Sequence, residues 1–172
     1  MLIGPASKSD LYDVWYIYDS AYDELAENPD FGDYLRLKRP SRKNIGKWAT
    51  GAYEGIKSGN ILFFVAKEGG KVLGFCFVGK KDVPDSELSH VGVLGIRIRK
   101  EFRNRGLGTK LVKYALERGR SKFDLIEIQV MAINKASKAL FKGLGFKTWG
   151  VAPGYVKRGK RRINLEHMYL KF

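Results

Sequence analysis

The chain has 172 residues, 44 % hydrophobic and 13 % aromatic, and a formal net charge of +14. That composition excludes a disordered polymer, and no apolar run approaches the ~18 residues of a membrane-spanning helix. Two histidines and one cysteine exclude a multi-histidine metal centre and an internal disulfide.

The opening MLIGPASKSD lacks the charged start and long apolar stretch of a signal peptide, and the lone Cys76 fits a reducing cytoplasm. MLIGPA reads as a first strand. Ser9 or Asp10 caps a helix in which Leu11, Val14, Trp15, Tyr18, Tyr22 and Leu25 recur at helical spacing, the acids between them facing outward. ENPDFGDYLRLKRP is a loop by its Pro, Gly and Asp content. Ser41 starts a second helix running to about Lys57. NILFFVAKE and KVLGFCFVGK are strands joined by a Gly69-Gly70 turn. A turn is expected over 82–86. HVGVLGIRIR is a strand with His90, Gly92, Leu94, Ile96 and Ile98 on one face. A glycine loop and a helix to about Arg120 follow. LIEIQVM is a strand, 134–144 a helix ended by Gly145, Phe146 opens another strand, and INLEHMYLKF closes the chain. The order β-α-α-β-β-β-α-β-α-β-β implies an α/β fold with a central mixed sheet flanked by helices, in one domain over 1–172.

The charge is segregated. Residues 10–33 hold eight acids and no Lys or Arg; 36–47 hold six bases and no acid. A further nine bases fall in 97–120 and five in 157–162. The basic segments point to an anionic partner. Aromatic residues do not interleave with them as stacking platforms do, which argues against a nucleic-acid-binding module.

The stretch RNRGLGTKLVKYALE concentrates that signal. A strand, a Gly-x-Gly turn and a helix together form a phosphate site, because the first N–H groups of a helix lack partners and carry partial positive charge. Gly106 and Gly108 let the backbone approach a diphosphate, and Arg103 and Arg105 add charge. The Walker pattern is absent, and the dinucleotide pattern fails at Leu111, where a third glycine belongs. The pattern R/Q-x-x-G-x-G/A is met in full.

A second stretch, NKASKALFKGLGF, supplies Asn134, Ser137, Leu140, Phe141, Gly145 and Phe146 in the pattern N-x-x-A/S-x-x-L-Y/F-x-x-x-G-F. The two motifs in this order resemble the GNAT N-acetyltransferase superfamily, most clearly from about His90 to Phe172. The resemblance implies that acetyl-CoA enters where two parallel strands, 90–99 and 125–131, splay apart. The backbone of Ile96, Arg97 and Ile98 would pair with the pantetheine arm. The N–H groups of Asn104, Arg105, Gly106, Leu107, Gly108 and Thr109 would cradle the pyrophosphate. Asn134 would reach the arm or cap its helix, and Phe141 would lie near the sulfur or in the core.

The implied reaction is direct acyl transfer from acetyl-CoA to a primary amine of a small molecule, polyamine or peptide, with no metal, no membrane, and homodimerisation open. The sequence departs from the family where catalysis is concerned. Many members have Tyr at the position of Phe141 as acid to the leaving sulfur, and one branch has a Glu base where Gln129 stands. Glu87, His90 and Tyr155 offer themselves as replacements. These departures also admit a CoA-binding domain without catalysis. The acids of 10–33 would attract a cationic amine or simply face water.

Overall fold

A computed structural model of the chain describes residues 1–33, 35–81 and 87–172; the turn expected over 82–86 lies outside them. The elements are β1 (Leu2–Pro5), α1 (Asp10–Glu27), α2 (Ile45–Lys57), β2 (Ile61–Glu68), β3 (Lys71–Lys80), β4 (Val91–Ile98), α3 (Leu107–Gly119), β5 (Leu125–Met131), α4 (Lys135–Gly143), β6 (Lys147–Arg158) and β7 (Arg161–Lys171). A 3-10 turn, Arg42–Asn44, leads into α2, with Ser41 accepting the Lys43 N–H. The final hairpin is long, and the basic run 157–162 straddles its turn.

One sheet runs β1-β2-β3-β4-β5-β7-β6. Every neighbouring pair is antiparallel except β4 and β5. Alternation along the strands buries both faces. Leu94 and Ile98 of β4, Ile126, Ile128 and Val130 of β5 and Met168 of β7 pack against Leu111, Val112 and Ala115 of α3 and Phe141 of α4. On the opposite face Phe63, Val65, Val72 and Phe75 meet Leu11, Val14 and Ile17 of α1 and Ala49 of α2. No helix among the described residues is long and apolar enough to cross a membrane.

The parallel pair is short. β4 and β5 are in register only at Val91–Leu125, Gly92–Ile126 and Val93–Glu127. Beyond Val93, β4 stays with β3 as far as Gly74–Ile98, and β5 stays with β7 as far as Met131–Leu165. The two strands therefore diverge toward their C-terminal ends and leave a gap in the sheet. Gly95 lies at its start, with the Phe77 ring 2.5 Å from where a Cβ would be, so only glycine fits there.

The charged face of α1 departs from expectation. Ser9 makes no side-chain cap. Instead the Asp10 N–H donates to Ser7 Oγ, and Asp10 Oδ2 accepts from the Ser7 N–H (2.8 Å) and hydroxyl (2.7 Å), a reciprocal box closing the helix start. Asp10 and Asp19 are buried, not outward-facing. Burial works to raise the Asp10 carboxyl, but the Ser7 bonds and Lys67 at 3.0 Å outweigh it and hold it below the usual carboxylate range. Asp10→Ala should cost about 1–2 kcal/mol of stability at neutral pH. Because the folded carboxyl titrates below its unfolded counterpart, this contribution is complete above pH ~4 and is lost as pH falls through the lower folded value. Urea unfolding of both proteins across pH 2–7 should show the two stabilities converging at the acid end.

Candidate functional site

A cleft of about 550 Å³ occupies the gap between β4 and β5. Ile96, Arg97 and Ile98 form one wall; Arg103, Asn104, Gly106, Gly108 and Thr109 form the mouth; Asn134 and Leu140 line the far side. The side chains of Arg105, Leu107 and Phe141 are engaged outside the cleft, Phe141 taking the core position that was one of its two expected places. Arg105 is exposed with its guanidinium over the Phe102 ring, Leu107 is buried in the core, and Phe141 packs edge-on against Phe146.

The mouth is built by backbone conformation. Gly106 precedes α3 with φ 74°, in the left-handed region where a side chain is strained. Asn104, at φ 58°, turns the chain two residues earlier. No side chain caps α3, so the amides of its first turn point into the mouth without a cap. α4 is different. Asn134 Oδ1 accepts the Ser137 N–H at 3.0 Å, the ordinary cap. Its Nδ2 donates to the Gly32 carbonyl at 2.7 Å.

That second bond ties down the segment after α1. Arg158, reaching back from β6, donates to the carbonyls of Pro29 (2.9 Å), Phe31 (2.7 Å) and Asp33 (2.6 Å). Arg161 pairs with Asp30 at 2.8 Å, and Arg97 pairs with Asp33 from the floor of the cleft. Gly32 lies so close to Asn134 that a Cβ would sit 2.6 Å from Cγ. Residues 28–33 thus form a strap across one end of the gap.

The acids of 10–33 are paired within the chain, although Asp23, Glu27 and Asp30 remain exposed. Each has a basic partner within the chain: Lys67 for Asp10, Arg99 for Asp13, Arg39 for Asp19 and Asp23, Arg103 for Glu24, Lys100 for Glu27, Arg161 for Asp30 and Arg97 for Asp33. Arg39 and Arg42 show that the 36–47 run serves α1. Arg103 uses its guanidinium on Glu24 and the Ile98 carbonyl. Among the described residues, Arg97 Nη1 is buried without a hydrogen-bond partner.

Of the proposed catalytic replacements, Glu87 and His90 precede β4 at the end remote from the gap. Six strand residues put His90 about 20 Å from Ile96. Tyr155 lies on β6, exposed, beside His167. His167 itself escaped the sequence pattern. It is half-buried on β7, directly across from Gln129. Only the β5–β7 register reveals that proximity.

A mixed sheet opened between two parallel strands, with an uncapped helix start at the opening, is the architecture of acyl-CoA N-acyltransferases. The model of the Acetyltransferase (GNAT) family matches residues 13–146, and the chain belongs to that family. It is 30 % identical over 160 residues to the uncharacterized N-acetyltransferase MJ1207 of Methanocaldococcus jannaschii, covering 90 % of this chain and 64 % of that protein. The chain thus spans less than two thirds of that relative. The ribosomal-protein-alanine N-acetyltransferase of Brucella melitensis shares the fold at TM-score 0.83 and 23 % identity over the whole of both chains. So does yncA of Salmonella typhimurium, solved with acetyl-CoA, at TM-score 0.84 and 22 % identity over 99 % of this chain and 93 % of that one.

Arg158→Met removes three charge-assisted hydrogen bonds to the strap while keeping much of the aliphatic stem. Amide hydrogen exchange at 31–33 should accelerate by about tenfold or more, with the sheet amides little changed. Mass-resolved exchange on the two proteins measures it.

Proposed function

We propose that this chain is an acetyl-CoA-dependent N-acetyltransferase that acetylates a primary amine. The observation that carries the reading is the gap beyond Val93 and Glu127, which opens onto the uncapped start of α3 behind a left-handed Gly106. A diphosphate fits that mouth: it accepts several N–H donors at once and meets the positive end of the helix.

In this reading the amides from Asn104 to Thr109 hold the pyrophosphate. The backbone of Ile96, Arg97 and Ile98 takes up the pantetheine arm as a strand would. Asn134 keeps α4 and the strap in place and offers its carboxamide at the cleft wall. Leu140 lines the cleft in front of Phe141. Bound acetyl-CoA would supply an acetyl group already activated as a thioester. The chain's task is to orient the two reactants, exclude water and accept a proton from the amine.

Phe141 has no hydroxyl with which to protonate the departing sulfur. A thiol of pKa ~8.5 leaves as thiolate with little assistance, so that loss does not bar the reaction. Cys76 offers no covalent relay: it is buried in the core, and burial pushes its thiol well above the usual range.

Gly108→Glu tests the cradle. A Cβ at Gly108 makes only ordinary contacts, 3.5 Å to Leu140 and 3.7 Å to Ile96. An acid in the first turn of α3 also suits the helix dipole, so the variant should fold. Its carboxylate meets the pyrophosphate head-on, and acetyl-CoA affinity should fall about 100-fold or more by calorimetric titration. Unchanged affinity would overturn the reading. Tight binding without CoA release against any amine would favour a non-catalytic CoA-binding domain.

A further inference from the structure

The register draws a row of residues across the sheet on the face that carries α1 and α2. Phe63 opposes Phe77, Phe77 opposes Gly95, and Gln129 opposes His167. Gly95 and Gln129 are level, since each lies two residues beyond the last parallel pair, Val93–Glu127. The opening of the gap therefore falls in the middle of this row. Phe63 and Phe77 lie in the layer beneath α1 and α2. The next layer along β5 and β7, Met131 and Leu165, is buried, with Arg158 against the Met131 sulfur. His167 lies just outside that covered layer and is half-buried.

Two irregularities in β6 converge on this histidine. The β6–β7 register shifts once between Thr148 and Gly150 and again between Ala152 and Val156. Trp149 falls in the first shift and Tyr155 in the second. Each presents an aromatic ring edge-on to His167, at centroid distances of 5.4 and 6.3 Å. A bulge re-aims a side chain that regular pleating would send elsewhere. Two in one edge strand, both directed to a single imidazole, fix that ring. They also leave two large aromatic surfaces open to solvent, with Trp149 63 % and Tyr155 65 % exposed.

We propose that His167 is the base that takes the proton from the acceptor amine, and that Trp149 and Tyr155 form the wall along which the acceptor lies. The proposal rests on the acetyltransferase reading above. An ammonium acceptor gives one proton to an imidazole nitrogen of His167, directly or through one water. The freed nitrogen lone pair forms the C–N bond to the acetyl carbonyl carbon, and the C–S bond breaks. The second proton lost from nitrogen ends on the departing sulfur, and His167 returns its proton to solvent.

The same wall defines the acceptor's chemistry. Among the described residues the nearby acid on this face is Glu127, and Lys81 engages it at 2.9 Å. The acids of α1 are held by the chain's own bases. A cation here is therefore received by aromatic faces rather than by carboxylates. That suits a primary amine with one positive charge and an apolar body, not a polyamine that needs several counter-charges.

Trp149 and Tyr155 lie against His167, and the charged or titratable groups on its face one register step away are Tyr169 with Glu127 and Lys147 opposite it, Glu127 being paired with Lys81. The test compares wild type with His167→Gln, using CoA-thiol release from acetyl-CoA with hexylamine, phenethylamine and spermidine. Hexylamine or phenethylamine should turn over in preference to spermidine. His167→Gln should lower kcat about 100-fold or more, leave acetyl-CoA affinity unchanged, lose the imidazole limb of the kcat/KM pH profile, and recover with added imidazole. Trp149→Ala should raise the KM for hexylamine about tenfold.

A readout independent of turnover uses His90→Gln, which leaves His167 as the one histidine. Its imidazole proton resonances should shift when hexylamine is added to the CoA-loaded protein. Turnover that His167→Gln leaves intact, or resonances that hexylamine does not move, overturns this inference alone. Absence of turnover by wild type with every acceptor, together with no acetyl-CoA binding, overturns it along with the reading beneath it.

Discussion

Arg103 ties the glycine loop to two other elements through a single guanidinium. Its Nε donates to the Ile98 carbonyl at the end of β4, and its Nη2 donates to Glu24 of α1 at 2.7 Å. Gly106 follows three residues later, so this side chain helps to locate the glycine turn relative to strand and helix. Glu24 retains only 12 % side-chain exposure and Arg103 33 %. With Glu24 shielded from water the pair adds little net stability, yet losing Arg103 leaves that carboxylate unpartnered. The pair therefore acts chiefly as a positional constraint. It fixes the glycine loop against β4 and α1, as Arg158 and Asn134 fix the strap.

The same logic accounts for the segregated charges. Acids crowd onto α1 and the strap, bases onto the segments that pack around them, and folding brings the two sets together. Arg39 serves Asp19 and Asp23 from the basic run before α2, while Arg158 and Arg161 serve the strap from the last hairpin. These pairs have short range and defined geometry, which suits holding irregular backbone that carries no ladder of its own. Arg158 illustrates the point. Burial pushes its guanidinium down from the usual range, and the carbonyls it binds are those that a buried strap would otherwise leave unsatisfied.

Much of this was legible in the sequence because it is local. Strand alternation, helical spacing, the Gly-x-Gly turn before α3 and the Asn134 cap each depend on a few neighbouring residues, and the element order followed from them. What escaped depends on pairings distant in sequence. Asp10 and Asp19 read as outward-facing because helical period says where a side chain points but not what meets it there. His90 read as a candidate because it begins the strand of interest, yet a strand is long and the gap opens at its far end. His167 carried no motif. Its position beside Gln129 exists only once β5 and β7 are in register, and its two aromatic neighbours are delivered by bulges that no period predicts.

The gap itself has a physical implication. Past Val93 and Glu127, β4 and β5 each keep one ladder and lose the other, and a sheet interior ordinarily tolerates few unpaired backbone groups. An extended ligand arm with its own amides can restore the missing bonds, which makes it a structural complement of the sheet as well as a reactant. Arg97 Nη1, buried beside the cleft with no partner among the described residues, marks the same deficit in a side chain. Binding then draws on groups that folding left unsatisfied, and the free energy it recovers appears as added stability of the loaded protein. The constraint that opens the sheet thus also supplies the driving force for filling it, provided the Arg103–Glu24 pair and the strap keep the two strands from closing on each other.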